Sequence, residues 1–457
     1  MRRLTVFLGL LLTAVSCRGD AIDRSGLLAS GPMLGYSTPR EVLLWAQTTR
    51  AASVQFRYWP EGKPALRQTT ARVTTGPQDD FTARLRATRL EPGVRYQYEV
   101  RLNGSKVDLG YPLRFQTQPL WQWRTDPPDF TVAFGSCTYT NEEPYDRPGE
   151  PYGQGFEIFP NILRTRPDLM IWMGDNVYLR EVDWDSRDGI FYRYSHARAT
   201  PQLQALLGNV HNYAIWDDHD YGPNNSDRSY VHKQAALEAF RSFWGNPTYG
   251  LPSLPGTFTR FSWGDADFFL LDNRWYRSPT EAPPLEDKVM LGAGQLSWLI
   301  DALTSSEGTF KIVAVGGQVL NPVAQHETYA RFPFERGRLL DALRQRRIEG
   351  LIFLSGDRHF TELSRLPRPG AYPLYDYTSS PLTSGLADSD WVLEEENRLR
   401  VEGTLLVQKN FGLLRFSGPA EDRTLTLQAL SSQGELLWER SLQAQDLTFP
   451  ETQADQR

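Results

Sequence analysis

Apolar and polar residues alternate along 53–58 and 95–101, and short apolar runs occupy 41–46 and 81–85. A period of two is the pattern of strands with one buried face. Leu-Glu-Pro-Gly at 90–93 predicts a turn, and Asn103-Gly104 predicts a hairpin. Roughly six or seven short strands spaced in this way predict a β-sandwich over residues 31–118. Pro119, Pro127 and Pro128 then interrupt the pattern and predict a linker over 119–129.

From residue 130 the pattern changes. Apolar runs at 130–134, 168–173, 211–216, 310–315 and 350–354 are continuous rather than alternating, as in strands buried on both faces. Helical periodicity appears between them, at 156–164, 189–208, 233–244, 295–303 and 336–347. A hairpin is expected over 257–272, and β-type runs return at 413–416, 424–428 and 436–438. The fold class is therefore α/β. A first β-sandwich domain precedes a second domain over 130–445, and 446–457 forms a tail.

Each long apolar run ends in a polar group: Gly-Ser-Cys137, Gly-Asp175, Asp217-Asp-His-Asp220, Gly-Gly-Gln318 and Gly-Asp357-Arg-His359. In a sheet whose strands run the same way, such ends gather along one edge, where α/β sheets place their ligands. Tyr178 follows Asp175 closely enough to curl back to the same point. Three carboxylates, a thiolate and a phenolate carry about five negative charges when ionised. Burying them uncompensated is costly, so one trivalent and one divalent cation are expected among them. Thiolate and phenolate suit Fe(3+), and the carboxylates suit Ca(2+) or another divalent ion.

Composition narrows the function classes. The net charge of -6 gives no basic footprint for nucleic acid. Arg2 and Arg3 precede an apolar stretch over residues 4–12, and Ala14-Val-Ser-Cys17 follows. Residues 1–16 are expected to be an export signal, too short to span a membrane. Residues 17–30 are expected to be a tether. The segment resembles a bacterial lipoprotein signal, with lipidation at Cys17; an ordinary signal peptide with an incidental Cys is the alternative. Export to the periplasm or cell surface follows, with the membrane touched only through that anchor. The remaining cysteine, Cys137, then has no disulfide partner.

GSC (135–137), GDNVY (174–178), WDDHDYGPNN (216–225), LDNRWYR (271–277) and SGDRHF (355–360) together resemble the PhoD-like alkaline phosphatases of the calcineurin-like metallophosphoesterase superfamily. The tract 90–98 is similar to the E–F corner of a fibronectin type III or immunoglobulin-like module. The family resemblance implies an N-terminal β-sandwich followed by two sheets flanked by helices, around a binuclear centre. It assigns Cys137, Asp175, Tyr178 and His359 to the iron, with Asp175 bridging, and Asp218 and Asp357 to the second metal. His219 becomes the catalytic histidine. Arg180 and Arg358 are candidates for holding phosphate, with a surface ion pair as the alternative for each. Asn224 and Asn225 are candidates for contacting metal or substrate. Gln318 stands where relatives place a histidine ligand, so its role is open. The implied function is hydrolysis of phosphate mono- or diesters by in-line attack of a metal-bound hydroxide. The alternative is a cell-surface binding protein that keeps a structural metal site.

Overall fold

The structure is a computed structural model that describes residues 26–450. The expected signal, the lipidated Cys17 and the end of the tail lie outside the described residues.

The N-terminal segment contains β1 (Leu28–Ser37), β2 (Glu41–Thr48), β3 (Ser53–Pro60), β4 (Gln68–Thr69), β5 (Val73–Thr74), β6 (Thr82–Thr88), β7 (Arg95–Leu102), β8 (Ser105–Lys106) and β9 (Arg114–Gln116). It is the expected sandwich. β1, β2 and β6 form one layer, and β3 and β7 with the four short strands form the other. Alternating side chains fill the space between them: Leu34, Val42, Leu44, Ala46 and Leu85 face Phe56, Tyr58, Tyr98 and Val100. The Tyr96 hydroxyl accepts from the Glu91 backbone N–H at 2.8 Å, the tyrosine corner that the 90–98 tract predicts. Asn103 and Gly104 both take positive φ at the hairpin tip (48° and 84°).

The chain continues through β10 (Phe130–Gly135), α1 (Ile158–Arg164), β11 (Leu169–Met173), α2 (Arg187–Arg198), α3 (Gln204–Asn209), β12 (His211–Ile215), α4 (Asp218–Tyr221) and α5 (Lys233–Phe243). A second group follows: β13 (Thr259–Trp263), β14 (Ala266–Leu270), α6 (Ala293–Thr304), β15 (Phe310–Ala314), α7 (Pro333–Gln345), β16 (Leu351–Ser355), β17 (Glu362–Leu366), β18 (Leu374–Thr378) and α8 (Ser389–Glu394). β19 (Asn410–Ser417), β20 (Thr424–Ser431) and β21 (Leu436–Gln443) complete the chain.

These strands form two sheets, not one. β10, β11 and β12 are parallel neighbours in the first. β14, β15 and β16 are parallel neighbours in the second. The expectation of one edge carrying all five strand ends is thus corrected, and the two-sheet arrangement implied by the resemblance is the one observed. Leu169, Ile171 and Met173 of β11 belong to the core between the sheets, while Met170 and Trp172 pack with the helices on the other face. Both faces are apolar, so the pattern alone could not say which face met a second sheet.

The sandwich is fused to the first sheet of the second domain. β1 pairs in parallel with β12 at Leu34 and His211, so the first sheet has nine strands in the order β21-β20-β19-β10-β11-β12-β1-β2-β6. β1 begins at Leu28, inside the stretch expected to be a tether. Its Gly and Pro residues disguise it as a loop. Tyr98 Oη donates to Gly208 O at 2.7 Å, and Trp45 Nε1 donates to Ser242 O at 2.7 Å, fastening the sandwich further.

Removing residues 26–118 strips β12 of its neighbour. The remaining chain is expected to be insoluble or to lack a cooperative thermal transition by circular dichroism. A soluble fragment that melts cooperatively would show that the sandwich is a separable module.

Candidate active site

Four of the expected ligands share a backbone conformation that the sequence did not reveal. Cys137, Asp175, Asp357 and His359 have φ of 63°, 51°, 68° and 56°. For residues with a Cβ this left-handed region costs about 1–3 kcal/mol each, and it persists only where the surroundings impose it. Each residue lies just past the end of β10, β11 or β16, where such a turn brings the chain abruptly out of its strand. At Gly174, φ is 93° and a Cβ would meet the Asp217 Cβ at 2.7 Å, so only glycine fits the turn before Asp175.

The loops are stitched together. The Cys137 N–H donates to Gly174 O (3.1 Å), and the Thr138 N–H donates to Asp175 O (2.7 Å). The Ser136 N–H donates to Ser379 O (3.2 Å), and the Leu382 N–H donates to Ser136 O (2.8 Å). The Ser380 hydroxyl donates to Cys137 Sγ and accepts from the His359 N–H. The polar run 379–384 is buried and was not singled out in the sequence, because Ser and Thr near a Pro read as an exposed loop.

Cys137, Asp175 and His359 bring ligand atoms within 4.8 Å of one another; so do Asp175, Asp218 and His219. Asp175 is common to both groups. Tyr178 Oη lies 3.3 Å from Asp175 Oδ2 and 3.3 Å from His359 Nε2, so the phenol converges on the first group. His359 Nδ1 faces Gly385 O at 2.6 Å, which favours a proton there and leaves Nε2 as the free donor atom. Asp357 lies outside these close groups; its N–H donates to Ser136 Oγ at 3.3 Å.

The electrostatics call for a cation. Burial pushes the Cys137 thiol up to about 12, and it raises Tyr178 well above the usual phenol range. Asp175 is raised by burial and then by Asp218, Cys137, Asp217 and Asp220. Asp357 is pushed up to about 8 by burial and by Glu327, Asp217 and Asp218. Asp218 is held low despite its burial, because His219 and Arg274 lie beside it. Burial lowers His219 and His359, opposed at His219 by the neighbouring Asp218 carboxylate. Asp218 Oδ1 is buried with no hydrogen-bond partner. The thiol, phenol, imidazole and carboxylate set therefore fits bound cations.

Other candidates are placed elsewhere. Arg180 is 5% exposed and spends its donors on Asp146 (2.8 Å), Thr140 O (2.7 Å) and the Tyr178 carbonyl. Arg358 pairs with Glu395 and donates to Gln318 Oε1 at 3.2 Å. Both guanidinium groups are buried and ion-paired, Arg180 with Asp146 and Arg358 with Glu395. Gln318 donates to Glu362 (2.7 Å) and Thr378 (2.9 Å), so it is a network residue rather than a ligand. Asn224 and Asn225 are exposed, and only the Asn225 backbone N–H reaches a ligand, Asp218 Oδ2, at 2.7 Å.

A buried ion network also escaped the sequence. Arg274, fully buried, pairs with Asp217 and Glu327 and lies 3.6 Å from Asp218 Oδ1. Arg277 reaches Glu327 at 2.9 Å. Asp217, Asp218 and Glu327 form a third close acidic group, whose charge Arg274 and Arg277 offset in part. Nothing in the residues around Glu327 signals its burial.

Residues 133–399 match the sequence model of the PhoD-like phosphatases, and residues 25–119 match a domain of unknown function, DUF7800. Alkaline phosphatase D of Bacillus subtilis (strain 168) is 22% identical over 381 residues, covering 68% of this chain and 63% of that protein. The chain thus spans less than two thirds of that relative's length. The solved structure of PhoD superposes with a TM-score of 0.75 at 16% identity, covering 93% of this chain and 92% of the other. Purple acid phosphatase from yellow lupin (Lupinus luteus) seeds gives a TM-score of 0.65 at 12% identity, with 93% and 77% covered. The two structures establish the shared fold. With more than half its length matched by the family model, the chain belongs to the PhoD-like phosphatase family.

Proposed function

We propose that the protein is an exported phosphoesterase with two metal ions, acting on phosphate mono- or diesters. The observation that carries this reading is the sharing of Asp175 between two close donor groups, as a carboxylate bridging two ions requires. The names of the relatives, an alkaline phosphatase and a purple acid phosphatase, favour the same chemistry.

Cys137, Asp175, Tyr178 and His359 would hold a trivalent iron, and Asp175 and Asp218, joined by Asp357, would hold calcium or another divalent ion. When bound, such a pair supplies Lewis acidity at the phosphoryl oxygens and lowers the pKa of a water. The chain's own groups do the rest. The His219 N–H donates to Asp175 Oδ1 at 3.3 Å, and its ring lies against Tyr178 with centroids 4.3 Å apart. This seats the imidazole beside both donor groups. Its Nδ1 has no hydrogen-bond partner, and its Nε2 is 3.9 Å from Asp218 Oδ2. His219 can therefore exchange a proton with the departing ester oxygen. Asn225 steadies Asp218 through its backbone, and the exposed amides of Asn224 and Asn225 are available to substrate.

The metal-replete protein is expected to hydrolyse p-nitrophenyl phosphate or its bis ester. His219→Ala should lower kcat by about 10²–10⁴-fold. No turnover in protein shown to contain both ions would leave the surface-binding alternative in its place. By elemental analysis, Asp175→Asn should lose both ions. Tyr178→Phe should shift the visible absorption that an iron phenolate produces. A colourless, fully active protein containing only zinc would refute the iron assignment. The residues 2–17 motif supports export with a lipid on Cys17. Intact-mass measurement of protein from membranes is expected to show a mature chain starting at a lipidated Cys17, and any other start would remove the anchor.

A further inference from the structure

Phosphate held at the donor groups leaves the organic part of an ester outside them, and Tyr152 is an exposed aromatic side chain next to two of those donors, His359 and Tyr178. Its Oη lies 3.3 Å from His359 Nδ1, and its ring is 6.2 Å from the His359 ring. It packs edge-on to Tyr139 at 4.9 Å and lies 6.3 Å from Tyr178. Tyr139 and Tyr178 are buried, at 8% and 5% exposure, whereas Tyr152 is 43% exposed. The ring also packs on Gly385. A Cβ on Gly385 would come within 2.3 Å of a Tyr152 ring carbon, so the ring sits directly on the glycine whose carbonyl orients His359. A flat apolar surface packed on one side is thus half-open beside an otherwise polar cluster.

We propose that Tyr152 is a specificity-determining residue that stacks on a flat ring carried by the leaving oxygen, so that aryl phosphate esters are favoured over alkyl esters of equal bulk. A rigid aromatic with one open side offers a partner ring an offset or edge-on contact that a saturated ring cannot match. The proposal rests on the phosphoesterase reading only in placing phosphate at the donor groups. The hydroxyl contact with His359 suggests a rival role, orienting that histidine, and the two separate experimentally.

The test is calorimetric titration of the full chain, loaded with iron and calcium, with phenylphosphonate and cyclohexylphosphonate, which are not hydrolysed. Phenylphosphonate is expected to bind about 3- to 10-fold more tightly. Tyr152→Phe should keep that preference, and Tyr152→Leu should bring the two affinities within about twofold. Equal affinities in the unaltered protein, binding of neither, loss of the preference in Tyr152→Phe, or its survival in Tyr152→Leu would each overturn the proposal. A preference for phenylphosphonate in a protein that hydrolyses no ester would support Tyr152's role and remove the hydrolytic reading, so the two fail separately.

Discussion

Asp175 is 1% exposed and surrounded by other acids, with no Lys or Arg paired to it among the described residues. A buried carboxylate in that position is tolerable only if protonated or beside a cation. The rest of the site is arranged around this constraint. Arg274 and Arg277 offset the carboxylates on one flank, at Asp217 and Glu327, and Arg274 lies 3.6 Å from Asp218. Protein cations thus serve the flank, and the centre is left to ions from outside.

Holding such a centre takes rigid loops, because its ligands sit in a backbone conformation they would not choose. The left-handed turns at Cys137, Asp175, Asp357 and His359 are fastened by cross-loop hydrogen bonds rather than by their own strands. Arg180 belongs to this fastening: its guanidinium ties the Tyr178 carbonyl to Thr140 and Asp146, and lies 4.0 Å over the Tyr139 ring. A phosphate-binding arginine and a loop-clamping arginine look alike in a sequence, since both follow a ligand motif closely. Only the count of donors already in use distinguishes them.

The same limit explains how much of the molecule could be read from its residues. Strands with strong apolar runs or clean alternation, such as β3, β7, β11 and β16, were legible because burial dictates their composition. β1, β17 and β18 were missed: the first contains Gly and Pro, and the others carry Glu362, Arg365 and Asp376, whose buried or bridging roles depend on distant partners. Of the site, the residue types at the strand ends were legible, including Cys137, Asp175, Asp218 and His359. The buried run 379–384, Glu327 and Tyr152 were not, because their places depend on contacts between segments remote in the chain.

The order of the nine-stranded sheet carries a consequence for how the protein is made. β10, the strand that delivers Cys137, is flanked by β11 on one side and by β19 on the other. β19 is among the last strands synthesised, and β1, which borders β12, is the first. The centre therefore cannot close on a growing chain. Its neighbours are complete only when the chain has emerged through Ser417, and such long-range pairing is slow to form. Assembly of the donor cluster is a late event, in whichever compartment receives the finished chain. With binding strength alone a poor guide to metal choice, the ions at hand in that compartment at that moment help decide which ones the site takes up.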